Sequence, residues 1–536
     1  MLKPFLLTLT FALFLTYSPL PTLHPDDAPA GHVLSQRLGI AHISLVADAT
    51  NPERYRQALA LGAGWNRWPL YWDHVQTTPE TWAWAAYDQM VVGDLDHGLN
   101  INAIFLGRPL FYRDGERITG LNEPIFADGS DMPAAGKAIN PANPWAVYVW
   151  EAVNRYMPGG TLARLRGWAD DRGIRVWEVW NEPDHKPIWG GTITDYARLL
   201  KVSYIVTKLA DPEARVMFGG LLYGTSDNWL ARVLAIYNRD PLREQYNWYM
   251  DMVAVHSYSY PRRSGWLTLY VRETLAAYGL KRPIWLNETG VAVWDDYPGA
   301  LWTAASPQER MRHATSAQQA AFVIQSAAYA WAEGAEVVFF HQLYDDCGNQ
   351  PPGTDFPFHQ GELCQSGADC YGEAFGLFRN LSSAVCYSQH PQPGTPRPAA
   401  ESFQLLARVF GSVPHDSAVI RSFDAGVTAI VFDRKQTNER IYVLWNRTFA
   451  PLEISLPAGG SSAVLYTLAA ERRVQPGTGS AYRLALAPAT PDDYPELEPG
   501  DITAIGGPPV IVVEHLNGEP ARDTLARVMI ETASGG

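Results

Sequence analysis

Between residues 37 and 410, short β-rich runs alternate with helical stretches, and no other feature of the chain limits its fold as much. Strands separated by helices pair in parallel, because each helix carries the chain back across the sheet before the next strand begins. Apolar runs place strands at 38–45, 100–106, 174–181, 215–219, 251–256, 283–287 and 336–341, with Trp65-Asn66-Arg67-Trp68 ending a further one after the first. Helical periodicity fills intervals between them, for example at 145–156, 194–209 and 316–331. The strand count closes at eight, the number that curls into a (β/α)8 TIM barrel. After Phe410-Gly411 the pattern changes to period-two segments parted by turns, such as Val427-Thr428-Ala429-Ile430-Val431-Phe432, which predict an antiparallel β-sandwich. The expected organisation of this α/β chain is a leader at 1–30, a barrel at 31–410 and a sandwich at 411–536.

Lys3 followed by the apolar run at 5–15 has the size of a signal-peptide core and is short for a membrane span. Cleavage after Ala28-Pro29-Ala30, or retention as an anchor, both predict an extracellular or cell-surface protein. The cysteines, Cys347, Cys364, Cys370 and Cys386, all fall in one segment and lack the C-x2-C spacing of a zinc site. In an exported chain they predict two local disulfides, with three pairings open. The formal net charge of -14, without a basic run, disfavours nucleic acid and anionic membranes as partners. The 19 Trp and 26 Tyr suit sugar faces, although most such rings fill cores.

Two of the predicted strands end in a glutamate. The run Val176-Trp177-Glu178-Val179-Trp180 stops at Asn181-Glu182, where Pro183 forbids the ladder from continuing. Pro283-Ile284-Trp285-Leu286-Asn287-Glu288-Thr289-Gly290 repeats the arrangement on strand seven. Carboxylates at the C-terminal ends of strands four and seven face one barrel mouth, where such folds keep their chemistry. Breaking a glycosidic bond needs such a pair: an acid at the leaving oxygen and a carboxylate at the anomeric carbon. Arg67 and Tyr258 are placed to keep Glu288 ionised, and Asn181 can bind the sugar 2-hydroxyl. Such a mechanism requires neither metal nor cofactor.

Asn-Glu-Pro on one strand end, Glu-Thr-Gly on another and His256-Ser257-Tyr258 between them resemble the clan A glycoside hydrolases. Trp177-Glu178-Val179-Trp180-Asn181-Glu182-Pro183-Asp184 is most similar to family 39, with family 5 a near rival. The resemblance implies Glu182 as acid/base, Glu288 as nucleophile and Asn181 as the 2-hydroxyl ligand, with Arg67, His256 and Tyr258 as orienting groups. It also implies a retaining hydrolase acting on β-linked carbohydrate. Where clan members often carry a Trp after strand eight, this chain reads Phe340-His341-Gln342-Leu343-Tyr344, so His341 or Tyr344 takes that place. Trp68, Trp72 and Trp189 are the candidate sugar-stacking rings.

A lone Asn-Glu-Pro is weak, since Asn122-Glu123-Pro124 repeats it in a polar loop with no strand before it. Glu123 is expected to be solvated, and Glu178, inside its strand, to be a paired barrel charge. The sequons at Asn287, Asn380 and Asn446 include one that would block the site if used, so that one should be silent. Rival readings are a transglycosylase using the same carboxylates and a barrel that binds glycans without catalysis.

Overall fold

Eight parallel strands close into a barrel in which each strand lies beside its neighbours in the chain. They are β1 (Leu38–Ala41), β2 (Trp65–Tyr71), β3 (Asn100–Leu106), β4 (Val176–Val179), β5 (Arg215–Leu221), β6 (Met252–Tyr258), β7 (Ile284–Gly290) and β8 (Ala335–Phe340). A helix follows each: α1 (Pro52–Ala60), α2 (Ala85–Asp96), α3 (Pro144–Tyr156), α4 (Ile193–Ala210), α5 (Trp229–Tyr237), α6 (Pro261–Ala277), α7 (Ser316–Ala332) and α8 (Pro398–Phe410). This computed structural model describes residues 34–296, 313–345, 354–356, 374–382, 386–388, 392–423, 426–477, 480–492, 503–518 and 531–532, with backbone alone at 354–356, 386–388 and 531–532. The expected leader, and the side chains of Cys347, Cys364, Cys370 and Cys386, lie outside the described residues. Among the described residues no helix is long and apolar enough to cross a membrane.

Local sequence sets the helix starts. Thr192 with Asp195, and Thr315 with Gln318, form capping boxes that satisfy orphan amides at the heads of α4 and α7. Asn51 and Asn143 cap α1 and α3, each followed by proline at the first helical position.

The barrel interior is layered. Its floor is apolar, built by Val176, Met217, Met252, Ala254, Trp285, Val337 and Phe339, with Trp65 packed against them. One pleat higher the filling turns polar, with Arg67, Asn102, Glu178 and Asn287 all buried. That polar layer hid one boundary. The second strand begins at Trp65, where the sequence pattern had it ending, because inward-facing Arg67 interrupts the apolar alternation that marks strands.

The C-terminal sandwich packs a six-stranded sheet on a three-stranded one. Strands β9 (Val427–Arg434) and β10 (Glu439–Asn446) are buried along almost their whole length, which requires cover on both faces. One face, with Val427, Ala429, Val431, Tyr442 and Leu444, meets the smaller sheet. The other carries Ile430, Phe432, Ile441, Val443 and Trp445 into the barrel core. Phe410 of α8 meets Phe432 edge-on at 5.3 Å, and Tyr329 of α7 meets Trp445 at 5.3 Å. Gln325 of α7 donates to the Gly507 carbonyl at 3.0 Å and accepts from the Gly506 amide at 3.1 Å.

Candidate active site

Two backbone irregularities bring the carboxylates together. Between β6 and β7, Val255 pairs with Leu286 and His256 with Glu288, so Asn287 is the extra residue of a bulge. In a regular strand, neighbouring side chains point to opposite faces. The bulge instead lets Asn287 donate to Glu178 inside the barrel, at 2.8 Å, while Glu288 also reaches the mouth. Beyond β4 the chain takes left-handed φ at Trp180 (+67°) and Glu182 (+44°), which swings Glu182 back over the opening.

His256 joins the pair. Its Nδ1 lies 2.9 Å from Glu182 Oε1 and 2.9 Å from Glu288 Oε2. The ligating atoms of Glu182, His256 and Glu288 all lie within 4.8 Å of one another. Arg67 supplies the positive charge beneath them. Its Nη1 donates to Glu288 Oε2 at 3.3 Å, Nη2 to Asn181 Oδ1 at 2.8 Å, and Nε and Nη2 fork onto Glu178 at 2.9 and 3.0 Å. Such a trio of ligand types could hold a metal, but here Arg67 lies 3.3 Å from both Glu288 and His256 and fills the cationic role. The Gly220 amide donates to Glu178 at 3.0 Å. A Cβ on Gly220 would fall 1.9 Å from His256 Nε2, so only glycine leaves room for the imidazole.

The charges set each group's protonation. Burial raises the Glu288 carboxyl, but His256 and Arg67 outweigh it and hold Glu288 well below the usual carboxylate range. Burial and Arg67 oppose a second proton on His256, yet Glu288 and Glu182 lift that imidazole to about 9. Burial, reinforced by Glu288, pushes the Tyr258 phenol up, so it stays a hydrogen-bond donor. His42, just past β1, is driven down to about 3, chiefly by burial and then by His341, and is neutral at ordinary pH.

His256 also links the site to stability. Its folded value of about 9 exceeds the ordinary 6.5, so the imidazolium stabilises the fold fully below pH 6.5, and that contribution fades as pH rises through 9. We expect the melting temperature to fall between pH 7 and 9.5, and His256→Asn to flatten that part of the profile. Equal slopes in both proteins would remove His256 from the linkage.

Of the residues singled out from sequence, Glu182, Glu288, Asn181, Arg67, His256 and Tyr258 converge on the mouth. His341 joins them, with Nδ1 3.2 Å from Glu288 Oε1. The other candidates do not. Trp68 points outward from β2 and donates to Asp94 of α2 at 2.8 Å. Trp72 is fully buried between Tyr112, Tyr148 and Trp145. Trp189 packs edge-on against Trp180 at 4.9 Å and donates to the Thr192 carbonyl. Tyr344 leaves the mouth to donate to Gln57 of α1 at 2.6 Å. Strand parity and helix packing assign these rings to the core, where an indole or phenol also finds a polar partner.

Sequence reasoning missed Tyr71, Phe375 and His42. Tyr71 lies on the same face as Arg67, four residues on, so period-two parity could have found it. Phe375 returns from the long segment after β8 to meet Tyr258 at 5.6 Å and His341 at 5.3 Å, and no local signal marks it. Exposed Glu123 and buried, paired Glu178 behave as expected. Asn287, Asn380 and Asn446 are all buried, which denies a glycosyltransferase access to the three sequons in the folded chain.

No protein-family model and no curated protein sequence matches the chain. Solved structures do. A family 39 glycoside hydrolase from Bacteroides cellulosilyticus WH2 superposes with a TM-score of 0.54 at 15% identity, over 89% of this chain and 80% of that one. The fold is shared. A family 39 β-xylosidase from Caulobacter crescentus gives 0.50 at 16% identity, covering 90% of this chain and 96% of the other. A glucosidase from Croceicoccus marinus gives 0.50 at 14%, covering 90% and 97%. Barrel and sandwich alike therefore belong to an architecture these enzymes use.

Beneath the carboxylates, the Arg67–Glu178 pair is a strong stability test, with side chains only 3% and 0% exposed. Glu178→Ala would take the forked partner from a buried guanidinium and leave it only Glu288 at 3.3 Å as a counter-charge, and breaking a buried pair costs about 3–5 kcal/mol. We expect urea unfolding to register that loss, with Glu178→Gln losing less because it keeps two acceptor contacts. A change below about 1 kcal/mol in the alanine variant would contradict a desolvated pair.

Proposed function

We propose that this protein is a retaining glycoside hydrolase that cleaves β-linked glycosides or polysaccharides by double displacement. The observation that carries the reading is the separation of Glu182 and Glu288, whose nearest oxygens lie within 4.8 Å. Retaining enzymes hold their carboxyl groups about 5–5.5 Å apart, whereas inverting ones leave about 6.5–9.5 Å for a water. Glu288, held ionised by His256 and Arg67, attacks the anomeric carbon. Glu182 donates its proton to the departing oxygen, and an ester forms between sugar and Glu288. Water then enters where the aglycone left, Glu182 takes its proton, and the ester opens. Asn181, fixed by Arg67, is positioned for the sugar 2-hydroxyl, where hydrogen bonds strengthen in the transition state.

The test is turnover on a panel of aryl β-glycosides and β-linked oligosaccharides, with the first-formed anomer read by proton NMR. Xylosides and glucosides head the panel because neighbours of the same fold are named for them. The β-anomer should appear first and mutarotate later. An α-anomer formed first would exclude double displacement, and no turnover across the panel would exclude the hydrolase.

A further inference from the structure

Glu182 sits in a turn that two non-glycine residues cross in left-handed conformation, Trp180 at φ +67° and Glu182 itself at +44°. Such residues persist only where surrounding contacts hold them. Two residues on, the carboxylate of Asp184 accepts the Leu222 amide at 3.0 Å and the Tyr223 amide at 2.6 Å, both just past β5. The carbonyls of the same two residues are taken from the other side by Arg263 of α6, with Nη2 2.7 Å from Leu222 O and 3.4 Å from Tyr223 O. Nη1 of Arg263 lies 3.4 Å from the carbonyl of His256. The segment Leu222-Tyr223 is therefore gripped at its amides by the Glu182 turn and at its carbonyls by the helix that follows the His256 strand.

We propose that Asp184 is a positioning residue that sets where Glu182 delivers its proton. It touches no reacting atom and works through the turn, by tying the loop after β4 to the loop after β5. A two-oxygen acceptor is needed because two amides converge on it. Asparagine at this position offers one oxygen, and its NH2 opposes the second amide. The inference rests on the role proposed for Glu182.

Leaving-group dependence tests it on the full chain. The readout is kcat/KM for the 2,4-dinitrophenyl and the phenyl β-glycoside of the sugar that the panel identifies, since kcat/KM reports the first half-reaction. The dinitrophenolate leaves without an acid, whereas phenolate needs one. In Asp184→Ala, hydrolysis of the phenyl glycoside should fall on the order of 10- to 100-fold, the effect of misplacing a catalytic group by about 1 Å. The dinitrophenyl glycoside should stay within about three-fold of the parent. Asp184→Asn should lie between the two proteins, and it supplies the test if the alanine variant does not fold. An equal fall on both substrates would make Asp184 merely structural, and no fall on either would remove its role. Glu182→Ala runs in parallel. If that variant shows no leaving-group dependence, the assignment of Glu182 fails and takes this inference with it. Dependence in Glu182→Ala but not in the Asp184 variants overturns this inference alone.

Discussion

Glu288→Ala should lower hydrolysis by a factor on the order of 10^4 to 10^6, the range seen when one member of a catalytic triad is removed. Loss alone would not assign a role, because Glu288 also anchors His256 and Arg67. Azide separates the possibilities. In the alanine variant the face of the sugar once covered by the carboxylate is open to a small anion. Azide can attack the anomeric carbon there while Glu182 protonates the leaving group. The expected product is a glycosyl azide of inverted configuration, formed at a rate that rises with azide concentration. Undiminished hydrolysis by this variant would sink the nucleophile assignment.

Glu182→Ala should behave differently at each half-reaction. For leaving groups that need protonation, kcat/KM should fall on the order of 10^2- to 10^4-fold, the contribution of a positioned general acid. Activated aryl glycosides should form the glycosyl-enzyme at near the parent rate and then stall, because no base activates the water. Azide needs no base, so it should release the intermediate as a glycosyl azide of retained configuration. The opposite configurations from the two variants are the sharpest outcome, since one carboxylate alone could not yield both. An inverted azide from the Glu182 variant would reverse the roles.

Much of this site was legible because barrel strands leave a local record. Asn181-Glu182-Pro183 marks a strand end by the donor that proline lacks, and the eight-strand count placed that end on the same rim as Glu288. The errors also have physical causes. Trp68 and Arg67 are adjacent, and a polar layer inside the barrel hid which of the two faced inward, so Trp68 was expected at the mouth when it bonds Asp94 outside. Tyr344 follows His341 closely in sequence, yet the chain has already turned toward α1 there. Phe375 was invisible because its place at the mouth depends on a long return from β8.

By itself, the sequence determined the (β/α)8 barrel, the sandwich and the strand ends that carry Glu182 and Glu288, because periodicity and proline act over a few residues. Only the tertiary structure decided how those glutamates meet. The bulge at Asn287, the left-handed turn at Glu182, the His256 bridge and the Asp184 clasp all depend on pairings between residues far apart in the chain. A strand's register against its neighbour is set by the packing of the whole barrel, and no single segment encodes it.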